Sequence, residues 1–414
     1  MAAFLEEMTY TSISHQRPAF LKVSRPTTSL DLIVKGQGVV LFTATQDCCL
    51  TFCDVSGNAG LRVQFSEKAV QVYLEPSHEP LVDKKNTRGL SKAQGAYYWF
   101  SLDAQNQRLY AGMGEPRKET VMYGFQFTQS TSTKKFLETL VCVNGENLQF
   151  KTLLRDPITN SVPLLVKNTE ELTMDLIASG SCMPKVNLPL TSQKLYDCIS
   201  GKQFILNTPD FPEFTQAIEK SIATPGKWCY QKLKEKATEF DKEKPDEKET
   251  YLRITLGENN GESPGIPYVM EIWPVGHYSP VHNHAGATAI IRVLHGSVNV
   301  SLFPFLSEDT VEPFAKADFK KDDITWITPN LNQIHQLKNL DTNKDTCITI
   351  QCYMYEDENT QHYDYFDYIN ASKQPQQFDP NSDMDFLEFK KTMRREWLEE
   401  HSQRQRKGCF SFFV

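Results

Sequence analysis

The sequence predicts a mainly β protein of two domains, an N-terminal β-sandwich and a C-terminal β-barrel entered through helices. Three observations predict it. The chain has 414 residues, more than a single hydrophobic core usually organises. Short runs with period-two alternation, bounded by turn residues, fill both halves. Helical periodicity is confined to the middle of the chain and to its end.

The first half, residues 1–165, contains the clearest alternating runs at 30–34, 39–45, 61–65, 69–74, 97–102, 108–111 and 121–127. The turns between them are rich in Gly, Asn and Pro, as GQG at 36–38 and SGNAG at 56–60 show. Regular spacing of this kind suggests a sandwich or jelly roll. Residues 166–209, punctuated by Pro184, Pro189 and Pro209, are expected to connect the domains. Helical patterns follow at 211–221 and 228–240. The charged stretch DKEKPDEKET reads as a solvated loop. Strand patterns then return from Tyr251 to Tyr353, and the barrel domain is placed at 210–370. In the tail, 371–414, Ser382 is expected to cap an amphipathic helix carrying Phe386, Phe389, Met393 and Trp397 on one face and ending near Gly408. That helix and the apolar CFSFFV end are expected to dock on the same chain. The sandwich and the tail are also the two places where an unknown partner could bind.

Composition narrows the function classes. Hydrophobic residues at 40% and charged residues at 23% are those of an ordinary globular chain. No apolar run is long enough for a membrane span. A net charge of -8 offers no basic footprint for nucleic acid. The start MAAFLEEMTYTS carries no basic region preceding an apolar stretch, so it does not read as a secretory signal. The ten cysteines form no CxxC pair, and reduced thiols in a cytoplasmic protein are the expectation, most of them small core residues.

Chemistry concentrates in GHYSPVHNHAGATAIIRVLHG, residues 276–296. His282 and His284 stand two apart, so on a strand both imidazoles point to one face and can ligate one ion. A third ligand must come from a neighbouring strand, and His335 in PNLNQIHQLKN is the candidate. His277 and His295 are expected to be hydrogen-bonded barrel residues.

Gly276, the HxH pair and Gly296 resemble the first motif of the cupins, and Pro329, His335 and Asn339 resemble the second. The acidic ligand of many cupins would fall near Thr288 or Ala289 and is absent. A three-His cupin of this kind is similar to the thiol dioxygenases typified by cysteine dioxygenase. Tyr251-Leu252-Arg253 stands where that family carries Tyr-x-Arg, and Trp273, Thr349, Gln351 and Tyr353 also match family positions or replace them. Over residues 210–370 the resemblance implies a double-stranded β-helix barrel, ferrous iron on His282, His284 and His335, and oxidation of a small thiol by dioxygen to a sulfinic acid. It implies that Arg253 pairs with a substrate carboxylate, favouring cysteine over cysteamine. It implies further that Tyr251 and Gln351 line the substrate and that Tyr353 donates to oxygen or carboxylate. Two departures stand out. Ala289 replaces the cysteine that cross-links to the tyrosine in animal enzymes, and Gln351 replaces a histidine. These leave two alternatives: a non-catalytic metal-binding cupin serving as a ligand-binding or interaction module, and a cupin oxygenase for another small substrate. In the first half, the stretch from Gly60 to Gly112 faintly resembles lectin-like sandwiches, without a site motif.

Overall fold

The computed structural model describes residues 20–82, 88–256, 267–309, 311–355 and 365–410. The chain divides into two compact units, and the division is not a single cut. One unit comprises Met1–Leu90, Tyr97–Gly112 and Val121–Thr159; the other takes Ser91–Ala96, Met113–Thr120 and Asn160–Val414. Two short pieces of the N-terminal half therefore belong to the C-terminal unit, which the linear boundary read from strand spacing could not reveal.

The first unit is a pair of antiparallel six-stranded sheets. Strand Gln37–Thr43 pairs with Tyr98–Asp103, and Cys48–Cys53 pairs with Ala59–Phe65. Phe42 and Phe100 from the first sheet meet Phe65 and Phe52 from the second, at ring-centroid separations of 5.1 and 5.3 Å. Facing apolar rings are what alternation on two sandwiched strands provides. Three strands of five residues or more lie outside the alternating runs. Cys48–Cys53 is one, and Cys142–Glu146 and Gln149–Leu154 are the others. In CCLTFC, Cys48 and Cys53 fill inward positions with Leu50 and Phe52, so small thiols stand where a larger hydrophobe would have shown the period. Cys48, Cys49, Cys53 and Cys142 of this unit are free thiols.

The second unit contains an eight-stranded and a six-stranded sheet. Strands Leu252–Leu256, Tyr268–Trp273, Cys347–Met354, Thr288–His295 and Ile324–Ile327 form the middle of the larger sheet. Their side chains divide by parity. Leu252, Ile254, Met270, Ile272, Ile290, Ile350 and Cys352 face one way, packing with Leu195, Ile199, Phe214, Ile218, Phe389 and Met393 of the helices. Val293 and Trp273 face the other way, against Val298, Val300, Leu302 and Leu337 of the smaller sheet. The two sheets thus close on each other around an apolar interior, and the helices cover the outside. Gly296 makes the turn between Thr288–His295 and Ser297–Leu302 at φ +67°, where a Cβ would come within 2.5 Å of the Thr346 carbonyl oxygen, so only glycine fits.

Residues 166–209 are not a free connector. Val166–Lys167 and Met183–Pro184 extend the larger sheet, and helix Leu190–Ile199 packs on it. The tail docks on the same unit: helix Phe386–Phe410 places Phe389 between Phe214 and Trp228. Ser382 is not its cap. The Ser382 hydroxyl donates to the Met384 carbonyl and accepts from the Thr255 N–H, ahead of a short strand, Met384–Asp385, that pairs with Leu252–Leu256. A serine can satisfy sheet-edge groups as well as helix N–H groups, and sequence spacing does not distinguish the two. Residues 411–414 of the CFSFFV end lie outside the described residues. Among the described residues no helix is long and apolar enough to cross a membrane.

Candidate metal centre

His282 and His335 are opposite one another in the register of neighbouring strands of the smaller sheet. His284 follows two residues after His282, and the ligand atoms of all three imidazoles lie within 4.8 Å of one another. The His282 and His335 rings are 4.6 Å apart, and those of His284 and His335 are 4.9 Å apart. His284 and His335 are buried and His282 is half-buried, so the cluster is most accessible at His282.

The geometry suits a divalent ion. The Nδ1 atoms of His282 and His335 lie 3.0 Å from the Pro280 and Asn332 carbonyl oxygens. Donation to a carbonyl fixes the proton on Nδ1 and leaves the Nε2 lone pair for a ligand. The Nε2 atoms of His284 and His335 are 3.2 Å apart, close to the ~3 Å edge that two Zn- or Fe-type bonds of ~2.1 Å at right angles would span. The other ring nitrogen of His284 is buried without a hydrogen-bond partner, an arrangement that is costly unless the imidazole is held for another purpose. Burial depresses the His282 pKa to about 4 and that of His335 to about 3; in His335 the neighbouring His282 adds to the effect. Burial also holds the His284 pKa well below the usual imidazole range, with the fields of His335, His282 and Arg253 next. All three imidazoles are therefore neutral at physiological pH, the form that binds metal.

The loops carrying these histidines are stapled together. Gln333 Oε1 accepts from the backbone N–H groups of His284 and Gly286, while its amide donates to the carbonyls of Ala287 and Thr328, each at 2.8 Å. The Glu115 carboxylate in turn accepts from the N–H groups of Asn332 and Gln333, both at 2.8 Å. Arg117 donates to Asn332 Oδ1 at 2.7 Å and lies 3.6 Å from Glu115. Burial pushes the Glu115 pKa up to about 7, against the two N–H donors and Arg117, which lower it. Glu115 and Arg117 belong to the Met113–Thr120 piece of this unit. Nothing in AGMGEPRKET marks them in the sequence: the carboxylate and its partners are more than 200 residues apart.

The remaining candidates are placed as follows. Tyr353 is directly opposite Ala289 in the register, and its ring stacks on His284 with centroids 5.6 Å apart. Its hydroxyl donates to Gln351 Oε1, and the Gln351 amide donates to Glu271. Glu271 also accepts from Arg253 at 2.8 Å, both side chains being buried. A hydrogen-bonded chain thus runs from Arg253 through Glu271 and Gln351 to Tyr353, beside the histidines. Glu271 is absent from the sequence-based site. Its signal was available, since in YVMEIWP it interrupts the apolar face that Val269 and Trp273 share. Tyr251 stacks with Trp273 at 4.1 Å and with Phe240 at 6.1 Å. His277 and His295 lie outside the cluster, hydrogen-bonded with Thr250 and Glu219. Cys352 faces the helices, its thiol donating to the Leu195 carbonyl.

The opposition of Ala289 and Tyr353 yields a direct expectation. Tyr353 stays an unmodified phenol in aerobically handled protein, because Ala289 supplies no sulfur and Cys352 points away. Peptide mass spectrometry should find no loss of two hydrogens across these peptides. The Ala289→Cys protein puts a thiol opposite the ring and should show that loss.

No family model matches the chain. Among solved structures it is similar to the cupin domain of Schizosaccharomyces pombe Cnp3, at 14% identity over 26% of this chain and 65% of that chain, with a TM-score of 0.20. A cupin 2 domain-containing protein from Halorhodospira halophila matches at 23% identity over 27% and 68% of the respective chains, with a TM-score of 0.19. The DMSP lyase DddQ from Ruegeria pomeroyi DSS-3 matches at 16% identity over 26% and 48%, also with a TM-score of 0.19.

Proposed function

We propose that the C-terminal unit is an iron-dependent dioxygenase that oxidises a small thiol to its sulfinic acid. Carrying this reading is the three-imidazole cluster, in which His282 and His335 each turn a lone-pair nitrogen inward and no carboxylate joins the group among the described residues. His282, His284 and His335 would hold the ferrous ion. When bound, the ion supplies a common site for thiol and oxidant and the redox chemistry between them. The overall change is RSH + O2 → RSO2H: the S–H bond is broken, both oxygen atoms end on sulfur, and the electrons that leave sulfur reduce dioxygen. No external reductant is required. L-Cysteine is the member of this substrate class to which the sequence resemblance points.

The chain's own residues then have defined roles. Val269, Ala289, Ile291, Ile327 and Phe366 cluster with Tyr353, and Phe366 lies 4.3 Å from the His284 ring. This apolar wall excludes water from one side of the cluster and strengthens the electrostatics inside it. Tyr353 Oη holds a proton directed at Gln351 Oε1. Gln351 keeps that hydroxyl oriented but cannot itself take up a proton.

The test is metal analysis of the full chain combined with an oxygen-electrode screen of small thiols, with sulfinate identified by mass spectrometry. About one equivalent of iron and thiol-dependent oxygen uptake are expected. Bound metal with no uptake for any thiol would move the protein to the non-catalytic, ligand-binding reading.

A further inference from the structure

We infer that the site selects a thiol without a carboxylate, a small aminothiol of the cysteamine kind, because Glu271 already occupies Arg253. This deepens the dioxygenase reading and rests on it. Arg253 and Glu271 are directly paired in register on adjacent strands, and the guanidinium donates to Oε1 at 2.8 Å. The other oxygen, Oε2, accepts from Gln351. Burial pushes the Glu271 pKa up, while Arg253 and the Gln351 amide, one N–H donor on each oxygen, act against it and hold the carboxylate in place. Lys236, a further cation whose field reaches Glu271, is held by Asp383 at 3.0 Å and Glu239 at 3.2 Å.

The positive charge that would recognise a substrate carboxylate is thus matched inside the barrel. Its position is relevant to the site, because the hydrogen-bonded chain through Glu271 and Gln351 ends on Tyr353, whose ring stacks on His284. A substrate anion has two options there. It can displace Glu271 and leave a buried carboxylate without its cation, or sit beside Glu271 as a second negative charge. Both cost more than any gain, since breaking a buried pair exposes the full desolvation of the group left behind. A thiol without a carboxylate, such as cysteamine, meets neither penalty.

The experiment compares cysteamine with L-cysteine on the full chain by two readouts. One is kcat/KM for oxygen uptake on the iron-loaded protein. The other is thiol titration of the cobalt(II)-loaded protein, followed by its absorption spectrum. Cysteamine should be favoured by about 10-fold or more in both, the factor one charge-assisted hydrogen bond supplies. Glu271→Gln frees Arg253 while keeping a partner for Gln351, and should move the ratio about 10-fold toward cysteine. Glu271→Leu provides the same comparison if the glutamine variant is unstable. A wild-type ratio at or above parity for cysteine overturns the inference and leaves the dioxygenase reading intact. A ratio unmoved in both variants also overturns it. Cysteamine binding to the cobalt protein without oxygen uptake in the iron protein removes the dioxygenase reading, while the binding ratio still decides the inference. Failure of both thiols to bind overturns both.

Discussion

The His335→Ala protein should co-purify with little or no iron and take up added cobalt(II) at least ~10–100-fold more weakly than wild type, the loss that even outer partners of metal ligands cause. His335 supplies one of three imidazoles, and its Nε2 lies 3.2 Å from that of His284. Removing it also empties the register position opposite His282 and leaves two neighbouring nitrogens, which cannot alone enclose an ion against water. His335→Gln is the informative companion, since it retains volume and a polar end but no basic lone pair of comparable strength. Metal analysis of each purified protein and a cobalt titration decide the matter. Iron at the wild-type level in His335→Ala would remove this site from the protein.

The second large effect should come from a residue far from the histidines in sequence. Glu115→Ala deletes the acceptor for two buried N–H groups and the carboxyl group beside the buried Arg117. Leaving a buried donor unsatisfied costs about 1–3 kcal/mol, and here the damage falls on the loop that orients His335 and, through Gln333, His284. We expect a markedly lower thermal midpoint and a ~10–100-fold weaker cobalt affinity. Glu115→Gln, which retains one acceptor, should recover part of both. A fragment of residues 190–414 holds all three histidines and, judged by them alone, would be expected to bind metal. Because Met113–Thr120 belongs to this unit, that fragment should instead be insoluble or metal-poor. Calorimetry and metal content of the fragment against the full chain test this directly; a soluble, metal-replete fragment would show that the Glu115 clamp is dispensable.

How much of this was legible beforehand varies with how local the controlling interactions are. The HxH pair could be read because its spacing suggested one shared face, although the strand ends at His282 and His284 lies just beyond it, and the third imidazole because its segment resembles a second motif. The outward-facing Cys352 followed from strand parity. The strands between Tyr251 and Tyr353 were visible because apolar residues recur at every second position in several of them, as Leu252 and Ile254 or Met270 and Ile272 do. Cys48–Cys53, by contrast, was hidden by thiols that pack as hydrophobes without looking like them. Ser382 carried a capping signal, yet a sheet edge claimed its hydroxyl. Composition and motif by themselves determined a mainly β protein with a three-imidazole site and no acidic ligand beside it. Only the tertiary structure decided that Glu271 sits on Arg253, that Gln351 links that pair to Tyr353, and that Glu115 holds the loop behind His335. Those three contacts join residues 18, 80 and more than 200 positions apart. A buried charge takes its role from whichever partner the fold brings within hydrogen-bonding distance, and sequence periodicity carries no record of that partner.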